Sequence, residues 1–371
     1  MRSMRTVVCA AVFTATTLAS AGTPAPQYEI INLGVVDPGD FGSQGTGISA
    51  GGVAFGRSLG VSNRAWSWSQ SAGFTTLGVV GSRSFYAANG ANDSGMVVGN
   101  GTTTSFGAGA LPILWNNGVA STMSIGAFDV GRANDINSSG TVVGSLGGGS
   151  SERAAIWNGG VASVITATTP GGAIMTTAYG INDSGLVIGN GFDPNNLARN
   201  VAIAYDSNTG MATEIPNLAG DNGGIAFAVG NGGHVVGSSS FNQSGSNPFI
   251  WDAVNGVSEI PLPDGTSQGS ARGVNAAGWA VGTASNAFAR PFLFDGTSTY
   301  NIQDLIVDDT GWDILMNTSS SAMGISDDGT IVGTGVFNGE IRAYAMVLVP
   351  SPGTLAALPL IGLLGTRRRR L

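Results

Sequence analysis

One phrase recurs seven times along the chain, and no other feature restricts its fold as much. It reads Ile-Asn-Ser-Ser-Gly-Thr-Val-Val-Gly from Ile136 to Gly144 and Ile-Asn-Asp-Ser-Gly-Leu-Val-Ile-Gly from Ile181 to Gly189. Further copies close at Gly56, Gly99, Gly237, Gly282 and Gly333, so successive closing glycines lie 43, 45, 45, 48, 45 and 51 residues apart. A period of this length marks one supersecondary unit that cannot bury its apolar face alone and must stack on its neighbours.

Each unit reads as four short strands. The Val-Val-Gly run is rich in β-branched residues and follows an Asn/Asp-Ser-Gly turn whose glycine accepts positive φ at little cost. Twelve to sixteen residues after each closing glycine stands a large side chain, Trp68, Trp115, Trp157, Tyr205, Trp251, Phe294 or Met346, in the second strand. A third, weaker strand follows, such as Phe74 to Leu77 or Val257 to Ile260. The fourth leads into the next turn and carries a small residue at one fixed place: Gly45, Ala88, Ala133, Ala178, Ala226, Ala271 and Ala322. Such a position implies close approach of neighbouring backbone.

Four strands in about 45 residues is the size of a propeller blade. The expectation is an all-β, seven-bladed β-propeller over residues 28–348; the alternative is an open β-solenoid, which needs capping ends. The phase of the termini favours closure, because Tyr28 to Gly34 resembles a third strand while the C-terminal repeat supplies only a first and a second. One blade completed by both termini leaves no free edge. The high glycine content, 60 of 371 residues, fits many tight turns.

The repeats resemble the HAF family of extracellular repeats, whose units carry an Ile-Asn-x-x-Gly-x-Val-Val-Gly phrase and a downstream aromatic strand. The His-Ala-Phe triplet that names the family is replaced by Arg64-Ala65-Trp66, Arg153-Ala154-Ala155 and Arg342-Ala343-Tyr344. This resemblance implies an extracytoplasmic setting and no particular activity.

The two ends read as address labels. Residues 1–21 have the form of a signal peptide, with Arg2 and Arg5 before an apolar stretch and Ala19-Ser20-Ala21 as a small-residue cleavage site. Residues 349–371 begin Val349-Pro350-Ser351-Pro352, continue through a short apolar segment and end in Arg367, Arg368, Arg369, Arg370 and Leu371. A dozen apolar residues reach only about 18 Å as a helix, short of the ~30 Å hydrocarbon core. This tail resembles the PEP-CTERM sorting signal, with Ser351 in place of the family's Glu. The resemblance implies an exosortase-type enzyme as membrane partner, transient membrane contact through the tail, and delivery to the surface or matrix of a Gram-negative-type bacterium.

Composition excludes several classes. All 15 basic residues are arginines, and removing the six at the ends leaves nine against 23 acids, a body charge of about −14. An acidic body without a basic stripe has no means of neutralising phosphates, so no nucleic-acid partner is expected. Without lysine there is neither a Schiff base nor a P-loop lysine. Cys9 is the one cysteine and His234 the one histidine, too few for a thiolate or imidazole metal site. Asp93, Asp183, Asp327 and Asp328 sit in the repeated turns, where carboxylates hydrogen-bond nearby backbone. Asp304, Asp308, Asp309 and Asp313 mark the longest insertion and read as a solvated loop. The tryptophans, at fixed repeat positions, read as core.

Arg64, Arg153 and Arg290 each stand four residues before the second-strand aromatic and form a candidate ligand face, able to grip acidic sugars through forked hydrogen bonds. The expectation is therefore a non-enzymatic repeat protein acting in adhesion or matrix structure, with no cofactor and no metal, and with extracellular polysaccharide as a candidate partner. A carbohydrate-binding or carbohydrate-cleaving propeller is the alternative.

Overall fold

The computed structural model describes residues 25–350 apart from 106, 242, 243 and 316. The signal-peptide reading, and Ser351, Pro352 and Arg367 to Arg370 of the tail, lie outside the described residues; Val349 and Pro350 lie inside, and the Val349 amide donates to the Gln27 carbonyl at 2.8 Å.

Each repeat folds into an antiparallel four-stranded blade. Five blades are separate sheets, and the first and last join in one nine-stranded sheet. Blade 1 comprises Gly42–Ile48, Ala54–Leu59, Arg64–Ser69 and Gly73–Thr76. Blades 2 to 6 repeat the order, beginning with inner strands Phe85–Ala91, Gly131–Ile136, Ile174–Ile181, Gly223–Val229 and Gln268–Val274. Blade 7 takes Ser321–Ile325, Ile331–Phe337 and Glu340–Leu348 from the C-terminal repeat and its outer strand, Tyr28–Asn32, from the N-terminal end. The ladder runs in register from Tyr28 opposite Leu348 to Asn32 opposite Tyr344. The seven inner strands contact one another in sequence, and the last touches the first, so the ring is a closed seven-bladed β-propeller.

The repeated phrase decodes position by position. Adjacent residues on a strand face opposite ways, so the Val-Val pair feeds two interfaces: Val97 packs between blades 1 and 2, Val98 between blades 2 and 3. Val142 and Val143, and Val235 and Val236, divide in the same way, giving a chain of clusters between blades in place of one central core.

The fixed small residue of the inner strand, the closing glycine of the second and a side chain of the third lie abreast, for example Ala322, Gly333 and Tyr344. A Cβ on Gly333 would stand 2.0 Å from the Ser321 carbonyl oxygen and 2.5 Å from the Tyr344 hydroxyl. At Gly144 and Gly189 the corresponding distance to the inner-strand carbonyl is also 2.0 Å. Close approach therefore falls chiefly on the closing glycine, and the small residue beside it completes a thin layer.

Trp115 and Trp157 are fully buried, and each donates its indole N–H at 2.7 Å to a carbonyl of the preceding unit, Gly78 and Ser124 respectively. Trp251 is partly buried against the cluster between blades 4 and 5. In the insertion, Asp304, Asp308, Asp309 and Asp313 are exposed while Ile302, Leu305, Trp312 and Ile314 enter the core. No helix among the described residues is long and apolar enough to cross a membrane.

Candidate functional site

The seven inner strands surround a channel with three levels, each built from one repeat position. The middle level is apolar: Ile48, Ala91, Ile136, Ile181, Val229, Val274 and Ile325 form a collar. These are the residues that open the repeated phrase.

Beyond the collar lies a narrow cavity of about 110 Å³ ringed by the turns. The turn asparagines are buried and work in two directions. Asn182 accepts the Leu186 amide at 2.9 Å within its own turn and donates from Nδ2 to the Gly230 carbonyl of the next blade at 3.2 Å. Asn92 and Asn137 do the same toward Asn137 and Asn182. Asn275 reaches Ser326 in the same manner.

The following position reaches backward. Asp93 accepts from Ser49 Oγ and the Gly51 amide, Asp183 from the Ser138 amide, and Asp327 from the Ala276 amide, each at 2.7–2.8 Å. The Asp327 amide donates to the Ala50 carbonyl at 2.8 Å, tying blade 7 to blade 1. This corrects the expectation that the turn aspartates bind their own turn: Asn supplies that bond and Asp93, Asp183 and Asp327 bridge blades. Asp328 alone behaves as expected, accepting the Thr330 amide at 3.0 Å.

On the other side of the collar is a wider cavity of about 400 Å³. In every blade a β-bulge follows the fixed small residue, as between Ala133 and Asp135, and the unpaired bulge residue lines this cavity. Bulges re-aim side chains in this way. The seven residues are Thr46, Asn89, Asn134, Tyr179, Phe227, Arg272 and Met323, so an almost repetitive backbone presents an unrepetitive ring.

That ring is polarised. Thr46 Oγ1, Asn89 Nδ2 and Asn134 Nδ2 donate to the carbonyls of Ala88, Ala133 and Ala178 in the next blade at 2.6, 2.9 and 2.7 Å. Blades 4 to 6 instead bring together the Tyr179 and Phe227 rings, with centroids 5.9 Å apart, and the Arg272 guanidinium, whose carbon lies 3.8 Å over the Phe227 centroid. Arg272 Nε donates to Ser270 Oγ at 3.1 Å. Burial pulls the Arg272 pKa below the ordinary guanidinium value, and the nearby Tyr179 phenol opposes that shift. Burial likewise raises the Tyr179 phenol.

Asp135 touches both cavities, at a position where the other blades have Gly47, Gly90, Gly180, Ala228, Gly273 and Gly324. Its oxygens accept the Ile136 amide at 2.8 Å and the Ile181 amide at 2.9 Å. Burial pushes its pKa up to about 7, against those two hydrogen bonds and with help from the charge of Asp183.

The arginines singled out in the sequence stand elsewhere. Arg64, Arg153 and Arg290 occupy equivalent third-strand positions, opposite Ser58, Leu146 and Ala284, on blades 1, 3 and 6. Arg153 donates to the Ser150 and Glu152 carbonyls, Arg290 to the Asp264 carbonyl, and Arg64 Nε is buried without a partner. Arg153 borders a surface groove of about 720 Å³ that shares Tyr179 with the channel. His234 Nδ1 lies 3.9 Å from Asp252 Oδ2. Among the described residues no group of three or more His, Cys, Asp or Glu side chains is placed to hold a metal ion.

The signal for the bulge ring was present in the sequence, as the one variable residue between a fixed small residue and a position that is Gly in five of seven units. Reading it required knowing that a bulge turns that residue into the channel.

No protein-family model matches the chain, and no curated protein does. Among solved structures it is similar to a catalytically inactive virginiamycin B lyase from Staphylococcus aureus with quinupristin, at 12% identity and a TM-score of 0.55, covering 87% of this chain and 100% of that one. It is similar also to a streptogramin B lyase, at 12% identity and 0.52, covering 87% and 98%. A third is YCF48 bound to D1 peptide, at 10% identity and 0.52, covering 88% and 98%. These likenesses show the class, a β-propeller, and at such identities they show the fold alone.

Proposed function

We propose that the chain is an extracytoplasmic β-propeller of the cell surface or extracellular matrix, sorted by an exosortase-type enzyme through residues 349–371, and that it acts by binding, in adhesion or matrix structure. The observation that carries the binding part is the bulge ring: seven side chains of six kinds displayed at one level by a near-repetitive backbone. Most of the repeated polar residues are spent on joining blades, which leaves the unrepeated ones for recognition.

Binding is favoured over cleavage by the wide cavity's acid content. Glycoside hydrolysis takes a pair of carboxylates flanking one bond, and Asp135 is the one carboxylate among the described residues lining that cavity. The address part rests on the resemblance of the two ends to sorting signals.

The test uses residues 22–349, which include the whole closed ring, mixed with polysaccharide from the producing cells. Co-sedimentation without new reducing ends is the expected result. Release of reducing ends overturns the non-catalytic reading, and absence of both overturns matrix binding.

A further inference from the structure

We infer that the wide cavity of the central channel is a binding site for a small ring-shaped carboxylate, with the Arg272 guanidinium holding the carboxylate and the Tyr179 and Phe227 rings covering one face of the ligand. This rests on the binding reading of the channel, not on surface delivery.

Arg272 is the first reason. It is half-buried in the channel wall, one face of its guanidinium lies on Phe227, and Nε is held by Ser270. Among the described residues no carboxylate forms an ion pair with it, and neither terminal nitrogen donates to a protein acceptor. Even a partly desolvated cation without a counter-charge carries a cost. Stacking leaves its in-plane N–H donors available as a fork that matches a carboxylate.

Shape and polarity give the remaining reasons. Tyr179, Phe227 and Arg272 come from the same position of three successive blades, so the aromatic faces and the cation share one wall of a cavity of about 400 Å³. That volume lies within the range of small-molecule pockets. On the opposite wall Asn89 donates to the Ala133 carbonyl and to Asn100 Oδ1, and Asn134 to the Ala178 carbonyl, which fixes their orientation in the cavity. The apolar collar lies between this cavity and the narrow one. Beyond it stand Asp93, Asp183 and Asp327, so a carboxylate ligand is admitted from the Arg272 side and repelled from the other.

Asp135 gives the site a pH dependence. It faces Asp183, Asp93 and Asp327 toward the narrow mouth and Arg272 and Tyr179 toward the wide one. With its pKa near 7, it is mostly neutral at pH 6 and ionised at pH 8, where it opposes an anionic ligand.

Calorimetric titration of residues 22–349 with glucuronate, benzoate and glucose tests the site. Binding of glucuronate or benzoate, with glucose silent, is expected, and which acid binds distinguishes a sugar acid from an aryl acid. Affinity should fall at least about tenfold in Arg272→Gln, as for loss of a charged hydrogen-bond pair. It should also weaken on the order of threefold or more from pH 6 to pH 8 in the parent, but not in Asp135→Asn. If Arg272→Gln does not fold, the parent's selectivity and pH dependence decide. Glucose binding as well as the acids, no binding of either acid, or unchanged affinity in a folded Arg272→Gln overturns the inference. Co-sedimentation with matrix that persists while the acids fail to bind leaves the wider reading standing.

Discussion

Replacing Asn182 by alanine tests whether the turn asparagines hold the ring together. Asn182 is 3% exposed and its side chain makes three hydrogen bonds: from the Leu186 amide at 2.9 Å, from Ser184 Oγ at 2.8 Å, and to the Gly230 carbonyl at 3.2 Å. The truncation acts unequally on the three partners. Ser184 is exposed and turns to water, and the Gly230 carbonyl keeps its bond from the Gly233 amide at 3.0 Å. The Leu186 amide loses its acceptor in a half-buried turn, which costs about 1–3 kcal/mol, and the lost bond between blades adds about 1 kcal/mol. The sum is about 3 kcal/mol, or roughly 5 °C in Tm for a domain of this size. The assay is thermal unfolding followed by far-UV circular dichroism. Asn255→Ala serves as the control, because Asn255 sits in an exposed turn and its Nδ2 reaches only Asp252, so its loss should cost below about 1 kcal/mol. A Tm for Asn182→Ala within about 1 °C of the parent, or no lower than that of Asn255→Ala, refutes a structural role for the asparagine belt.

Other perturbations probe the remaining levels. Gly189→Ala places a Cβ 2.0 Å from the Thr177 carbonyl oxygen, so the inner strand must separate from its neighbour; soluble yield and near-UV circular dichroism should collapse, whereas Gly210→Ala, in an open turn, should remain folded. Deleting residues 25–32 removes the outer strand of blade 7 and uncovers Met346 and Tyr344, and the exposed edge should cause self-association visible by light scattering. Trp115→Phe loses the indole bond to Gly78 and leaves a small cavity, which should cost about 2–3 kcal/mol in denaturant unfolding. Asp135 has a folded pKa raised above its unfolded value, so the native state binds the extra proton and its contribution to stability falls as pH rises from about 4 to about 7. Relative to the parent, Asp135→Asn should gain stability across that window and show a flat difference above it, whatever constant offset its altered hydrogen bonds add.

The architecture was legible in the sequence because each repeat satisfies its own backbone. A β-branched pair, a glycine turn and a large second-strand residue define a blade from local chemistry, and their count and the phase of the termini define a closed ring. Trp115 and Trp157 fell into the core for the same reason: a side chain at a fixed repeat position meets the same interface in every unit. The solvated acidic insertion was also legible, although its buried Ile302, Leu305, Trp312 and Ile314 were not.

What the sequence did not disclose is how residues about 45 positions apart meet across the channel. Arg64, Arg153 and Arg290 share a repeat position, and that equivalence holds them apart on blades 1, 3 and 6. The turn aspartates looked local, yet closure placed Asp93, Asp183 and Asp327 against the preceding or following blade. Tyr179, Phe227 and Arg272 carried no motif, and only the bulge in each inner strand gathers them at one level. The repeat by itself determined the blade and the ring, since both follow from local strand and turn preferences. The tertiary structure alone decided which side chains line the channel, because that lining arises where repeat-equivalent but chemically unlike residues converge around a shared axis.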